Sequence, residues 1–279
     1  MAGCEMLNRE ERNLVYQHAY LPEHLPDYVK AVSGSEAHIH GDYLCFSRKD
    51  HLTFIGYPLR NKSGDTHRVY ESACKRFRPN TVAIIAPEIW LPAQTYEGRQ
   101  VDSYYRLDLP LESIDPEVAY MVRRAGRELR ITPGTFGKEH KRLINDFLSG
   151  HELTRKQKEI FKGIQRYLKR SMTARLLEAT RGDHLVAFSI VDMGSVNYAF
   201  YLFNFRSMKE NVPGASDLLF HEMVRLAQAE GKSAINLGLG IHPGIRRFKE
   251  KWGGIPFLPY ESALVSRKPL EMGSLINKL

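Results

Sequence analysis

Cysteine is nearly absent: Cys4, Cys45 and Cys74 are all that 279 residues contain. An odd count without CxxC spacing excludes a disulfide framework and offers no thiolate metal site. Long apolar runs are missing too. No stretch approaches the ~18–20 residues that crossing a bilayer takes, and the opening MAGCEMLNREERN lacks the apolar core of a secretory leader. The expectation is a cytoplasmic chain in a reducing compartment. There is no repeat of fixed short period and no low-complexity segment, so the chain reads as folded throughout. His38 and His40 share a strand face without a third ligand at a recognisable spacing, so no metal is expected.

What is present is an ordinary globular composition, 43% hydrophobic, enough for one large core or two modest ones. Domains of about 100–200 residues favour two. Lys plus Arg exceed Asp plus Glu by 40 to 32, a formal charge of +8. That excess suits phosphate-bearing partners such as RNA, nucleotides, CoA or anionic lipid, and equally suits a merely solvated basic surface.

Periodicity predicts helices at Arg9–Gln17 and Pro22–Val32, then a hairpin of Tyr43–Ser47 and Leu52–Tyr57 about a turn at Arg48–Asp50. A helix over Thr66–Phe77 precedes TVAIIAP, whose continuous apolar run predicts a strand buried on both faces. SYYRLDL reads as a strand and Asp115–Pro116 as the entry to a helix with Arg123, Arg124 and Arg127 on its polar side. A strand at Leu129–Thr132 leads to helices at Gly137–Leu148 and Thr154–Lys169, the latter with Lys156, Lys158, Lys162, Arg166 and Lys169 on one side. A meander of RLLEAT, HLVAFSIVD and NYAFYLFNF follows, then a helix at Ala215–Glu230, the strand SAINLGL, a short helix and the strand PFLPYESALVS.

From residue 128 this gives β-α-α-β-β-β-α-β-α-β. The order resembles the GNAT acyltransferase superfamily, in which a central meander meets a helix and the next strand splays away to leave an acyl-donor cleft. YYRLDL followed by VAYMVRRAGRELRI is similar to the strand and arginine-rich helix of the Fem-type peptidyltransferases, which move amino acids from aminoacyl-tRNA onto peptidoglycan precursors. NVPGASDLLFHEMVRLAQAEGKSAINLGLG followed by GIRRFKEKWGG resembles the same family's helix, strand and FK-x-x-(F/W)-G-G ending. It is also similar to the cytosolic domain of lysyl-phosphatidylglycerol synthases, whose strand likewise ends in NLG. The likeness covers residues 100–279. Because those enzymes carry two GNAT-like halves, it implies an α/β (α+β) fold of tandem GNAT-like domains, each a mixed, mostly antiparallel sheet flanked by helices. Residues 1–127 would be a degenerate copy and residues 128–279 the acyltransferase domain.

The resemblance also implies a chemistry. Aminoacyl esters are already activated, so the protein positions reactants, removes a proton and stabilises an oxyanion; no triad is needed and none is visible. Acetyl-CoA-dependent members grip pyrophosphate with a Q/R-x-x-G-x-G/A loop, whereas Lys209–Ser216 here has one glycine and a proline. Aminoacyl-tRNA is therefore the expected co-substrate, with no tightly bound cofactor and acyl-CoA as the alternative. A non-catalytic RNA- or nucleotide-binding protein is a third reading. The expected acceptor is an amine or hydroxyl of a small molecule or lipid-linked cell-envelope precursor. Membrane-surface contact fits this picture; DNA does not enter it.

Lys249, in the Phe248–Lys249 pair, leads the implied catalytic residues, binding a tRNA phosphate or the donor carbonyl; its alternative is a solvated lysine on an exposed helix. Asn236 either bonds substrate across the cleft or pins the strand end, and Tyr201 faces oppositely to Tyr198. Donor contacts are expected from backbone at Phe203, Asn204 and Phe205, from Asn211, Gly214 and Ala215 at the helix start, and from Gly238 and Gly240 in the cleft wall. Arg246 and Arg247 offer phosphate contacts, only Arg246 sharing a face with Lys249. Gly238, Gly240 and Gly244 do not match a dinucleotide fingerprint.

Overall fold

A computed structural model describes residues 7–60 and 64–267, with 155–157 described by backbone alone. Cys4 and the Lys156 side chain lie outside the described residues. Asn8 caps α1 (Arg9–His18): its side chain accepts from the Glu11 N–H while the Glu11 carboxylate accepts from the Asn8 N–H. A single 3-10 turn, Pro22–His24, precedes α2 (Pro26–Ser33). The one helix expected over Pro22–Val32 is thus interrupted, because Pro26 has no N–H to give the Pro22 carbonyl. That carbonyl accepts from the Leu25 N–H instead.

Next come β1 (Glu36–His40), β2 (Tyr43–Arg48), β3 (His51–Ile55), α3 (Thr66–Phe77), β4 (Thr81–Ala86) and β5 (Tyr96–Asp108). They are followed by α4 (Pro116–Gly126), β6 (Arg130–Pro133), α5 (Lys138–Ser149), α6 (Arg155–Arg170), β7 (Ala174–Arg181), β8 (His184–Asp192) and β9 (Tyr198–Arg206). The described chain ends with α7 (Ala215–Ala229), β10 (Ala234–Leu239), α8 (Pro243–Lys251) and β11 (Ile255–Ser266). From β6 onward this is the order read from the sequence. The chain forms two compact units that do not follow chain order. One holds Glu36–Val101 with 259–267; the other holds Leu7–Ser35 and Asp102–Leu258.

In the first unit β2 pairs antiparallel with β1 and β3, β3 runs parallel to β4 through the α3 crossover, and β11 is antiparallel to β4. Tyr70, Ala73 and Cys74 of α3 bury against Phe54, Val82 and Ile84. Along β4, Val82, Ile84 and Ala86 are buried while Thr81, Ala83 and Ile85 are only partly covered. The strand expected to be buried on both faces is fully buried on one, because alternate residues face opposite sides and α3 lies against one of them. Cys45 and Cys74 are free and buried in this core, and burial pushes the Cys45 thiol up to about 12.

The second unit has strand order β5-β10-β9-β8-β7-β6. Each neighbouring pair is antiparallel except β10 with β9, which is parallel. α4 and α7 cover one face, with Val118, Leu219, Phe220 and Ile235 in the core. α2, α5 and α6 belong to the other, around Leu143, Ile164, Tyr167 and Phe188. Gly163 sits inside α6 because a Cβ there would come within 2.8 Å of the Ala31 oxygen of α2.

Candidate active site

β9 and β10 run together for only three residues, Ala234↔Tyr198, Ile235↔Ala199 and Asn236↔Phe200. β9 continues to Arg206 and β10 to Leu239, so beyond Phe200 the two strands part into a fork. Among the described residues no strand pairs with that edge of β9, whose backbone N–H groups remain available to a ligand.

Asn236 fixes the vertex. Its Nδ2 donates to the Tyr20 carbonyl and its Oδ1 accepts from the Gly238 N–H, both at 2.7 Å. Gly238 takes a positive φ of 74° where β10 shifts register against β5. Asn236 thus pins the strand end, with both ends of its amide engaged.

A second bulge sits in β9. Val191 pairs with Tyr201 and Ile190 with Phe203, leaving Leu202 without a partner in β8. The extra residue re-aims the side chains on either side of it. Phe203 and Phe205 pack with Phe161 on the α5–α6 face, while Tyr201 meets Phe220 and stacks on Phe248 on the α7–α8 face. Asn204 shares the α7 side, donating to Ser189 Oγ and accepting from Ser216 Oγ, each at 2.8 Å. Burial raises the Tyr201 hydroxyl pKa well above its ordinary value, leaving a neutral hydrogen-bonding group.

Lys249 lies at the open end. α8 begins with Pro243 at its first turn and stops at Trp252, followed by Gly253 at φ 85°. Between them Phe248 packs edge-on against Phe220, and Lys249 is only 3% exposed. Its Nζ donates to the Leu239 carbonyl and lies 5.4 Å from the Tyr105 ring centroid. Burial pulls its pKa from 10.5 down to about 7, opposed only in part by the Asp102 charge. The exposed-helix alternative for Lys249 is therefore excluded: this is a buried amine, divided between its two protonation states near neutrality.

That burial has a stability signature. Between pH 7 and 10.5 the unfolded chain holds a proton on Lys249 that the folded chain has released, so this group's contribution to stability rises with pH across that window and is lost as pH falls through 7. The shift corresponds to roughly 5 kcal/mol. Lys249→Met should therefore be more stable than wild type at pH 7, with the difference shrinking towards pH 10; equal denaturant midpoints at both pH values would contradict the burial.

The loop before α8 is held by Asp102, whose carboxylate accepts from the Ile241 N–H at 2.7 Å. Ile241 is a β-branched residue at φ 50°, a conformation costing about 1–3 kcal/mol. A Cβ on neighbouring Gly240 would lie 2.7 Å from the Asp102 carboxylate and 2.8 Å from Arg246 Nε. Gly240 thus admits these two charged groups to the mouth of the fork. Arg246 and Arg247 are exposed.

No family model matches the chain, and no curated protein matches it in sequence. Solved structures do match. FemX aligns with a TM-score of 0.63 over 94% of this chain and 97% of its own, at 11% identity. L-PGS from Bacillus licheniformis aligns at 0.60 over 99% and 98%, with 14% identity. A tandem GNAT protein from the clavulanic acid biosynthesis pathway aligns at 0.51 over 82% and 79%, with 11% identity. The chain has a tandem GNAT fold.

In this GNAT fold the start of α7 is filled from within. Pro213 supplies no N–H, and the Ala215 N–H is spent on the Val212 carbonyl at 3.1 Å. Gly214, at φ 85°, lies so close to α4 that a Cβ would stand 3.0 Å from the Met121 carbonyl carbon. Asp217, buried in the first turn, accepts from Trp252 Nε1 at 2.9 Å and pairs with Lys251 at 2.6 Å. Asn211 is exposed beside this turn.

The other charged candidates are dispersed. Arg166 caps α2 by donating to the Ala31 carbonyl, and Lys162 pairs with Glu159. Arg123, Arg124 and Arg127 stay exposed on the GNAT fold's α4 side. His38 bonds Ser47 and His40 bonds Ser72, and among the described residues no three potential ligands gather to hold a metal. No described helix is long and apolar enough to cross a membrane. The sequence reading missed Asp102 and Glu23, which lie outside its motifs, and gave no role to Tyr105, which lies within YYRLDL.

Proposed function

We propose that this chain is an aminoacyltransferase that takes an amino acid from aminoacyl-tRNA and passes it to an amine or hydroxyl of a small molecule or cell-envelope precursor. The observation that carries this reading is Lys249, a buried lysine with a pKa near 7 at the open end of the β9–β10 fork. Neutral, its amine takes the proton as the acceptor's nucleophile attacks the ester carbonyl. The resulting ammonium then stands beside the tetrahedral oxyanion, with the free edge of β9 supplying backbone N–H groups. The tRNA 3′-oxygen leaves with the electron pair of the broken ester bond.

The start of α7 supports tRNA over CoA as the donor. A pyrophosphate there would meet a proline, an N–H already spent and the carboxylate of Asp217, where an anion site needs free N–H groups and an uncompensated helix dipole. The shared fold of FemX and L-PGS and the FKEKWGG ending point the same way.

Purified protein supplied with a radiolabelled aminoacyl-tRNA pool and fractionated cell extract should move label into at least one fraction. The transfer should survive Lys162→Ala, whose side chain makes an exposed surface pair. Label that stays on tRNA with every fraction, together with tight CoA binding, would overturn the reading in favour of a CoA-dependent acyltransferase.

A further inference from the structure

The segment ahead of α2 lies over the fork on the face opposite α8. Ala19 and Leu25 cover Phe200, and the Tyr20 carbonyl holds Asn236 at the vertex, whereas the next residue of β9, Tyr201, faces α7 and α8. From this segment Glu23 reaches Tyr104 of β5 and acts on Tyr28 of α2. Its Oε2 accepts from the Tyr104 hydroxyl at 2.9 Å, and Tyr104 stands opposite Leu239 of β10. Its charge also acts on the Tyr28 hydroxyl, and the Tyr28 ring packs edge-on against Phe203 of β9 at 6.1 Å. The Leu239 carbonyl receives Lys249 from the other face. The end of β10 therefore lies between a buried amine and a half-buried carboxylate.

Among the described residues Glu23 has no counter-charge, and desolvation raises its carboxyl above the ordinary 4.5. Asp217 pairs with Lys251 and Asp192 accepts three hydrogen bonds, from Tyr167, Thr173 and Gly194, whereas Glu23 has, among the described residues, only those from Tyr104 and its own backbone amide. A desolvated carboxylate without a cation is costly, and such a group beside an open strand edge is the mark of a site completed by its ligand.

We propose that Glu23, Tyr104 and Tyr28 form a pocket for a primary ammonium group at the fork. This rests on the aminoacyltransferase reading, in which both the aminoacyl donor and an amine acceptor carry such a group. The carboxylate gives an ammonium a charge-assisted hydrogen bond, and the Tyr104 hydroxyl oxygen beside it can accept a second. In an aminoacyl ester one carbon separates the ammonium from the carbonyl carbon. Holding the ammonium at Glu23 therefore keeps the carbonyl carbon within two bonds of it, at the Tyr104–Leu239 end of β10.

The test is calorimetric titration of the full chain with L-alaninamide, N-acetyl-L-alaninamide and n-propylamine. L-alaninamide should bind, its N-acetyl form should not, and Glu23→Gln should weaken binding about ten-fold or more. Glutamine keeps an acceptor for the Tyr104 hydroxyl and removes a costly charge, so the variant should melt no lower than wild type. Tyr104→Phe keeps the charge but frees the carboxylate, and should weaken binding by a few-fold. Tighter binding of L-alaninamide than of propylamine assigns the pocket to the donor, and equal binding assigns it to the acceptor. Absence of amine binding, equal affinity in Glu23→Gln or equal binding of the N-acetyl form overturns the proposal. Glu23-dependent amine binding without any aminoacyl transfer would sink the transferase reading alone. Transfer untouched by Glu23→Gln would sink the pocket alone.

Discussion

Lys249→Met should lower aminoacyl transfer by about 10²–10⁴-fold, the usual contribution of a positioned general base. Methionine keeps the unbranched length of lysine and fits a site that is already 3% exposed, so the loss should come from chemistry and not from folding. Wild-type transfer should rise with pH through about 7 as the amine loses its proton, then level off, and Lys249→Met should lose that inflection. Arginine separates two roles. It keeps a positive charge but stays protonated, so Lys249→Arg should remain inactive if the side chain accepts a proton and recover if it only attracts an anion. Near-normal transfer in Lys249→Met, with the inflection retained, would remove Lys249 from the chemistry.

Gly214→Ala should cost about 2–5 kcal/mol of stability. Part is backbone strain, since alanine at φ 85° leaves the conformations L-residues favour, at about 1–2 kcal/mol. The rest is overpacking, at about 1–3 kcal/mol, because the new Cβ would press on the Met121 carbonyl of α4 and on the Ala125 methyl, 3.3 Å away. In a unit of this size the melting temperature should fall by roughly 5–15 °C. The same position bears on function. Were Gly214 a donor contact before all else, Gly214→Ala would melt like wild type and lose transfer. A lowered melting point, with activity recovered at low temperature, is the outcome that packing requires.

Much of this was legible in local sequence. The order from β6 to β11 follows from periodicity and from Gly and Pro punctuation, which act within a few residues. The FKEKWGG ending singles out Lys249 by motif alone. Its burial was not legible, because a lysine in a stretch of four cations reads as solvated and only packing beneath Tyr105 and Leu239 makes it an amine with a pKa near 7. Both roles left open for Asn236 fitted its place at a strand end; the Tyr20 carbonyl, 216 residues away in sequence, decided for the pin.

The facing of β9 shows the same division. Strict alternation puts Tyr201, Phe203 and Phe205 on one side, and a bulge at Leu202 separates Tyr201 from the other two. Nothing in NYAFYLFNF marks the position of that bulge, which depends on register with β8. Glu23 lies furthest from what a sequence discloses. It is an unremarkable acid between Pro22 and His24, given meaning by a tyrosine 81 residues later and by the absence of a cation among the described residues around it. By itself the sequence determined the elements, because helix and strand signals are local. Tertiary structure decided which of their polar side chains lost water, and pKa and partner follow from desolvation and from contacts the chain makes only once folded.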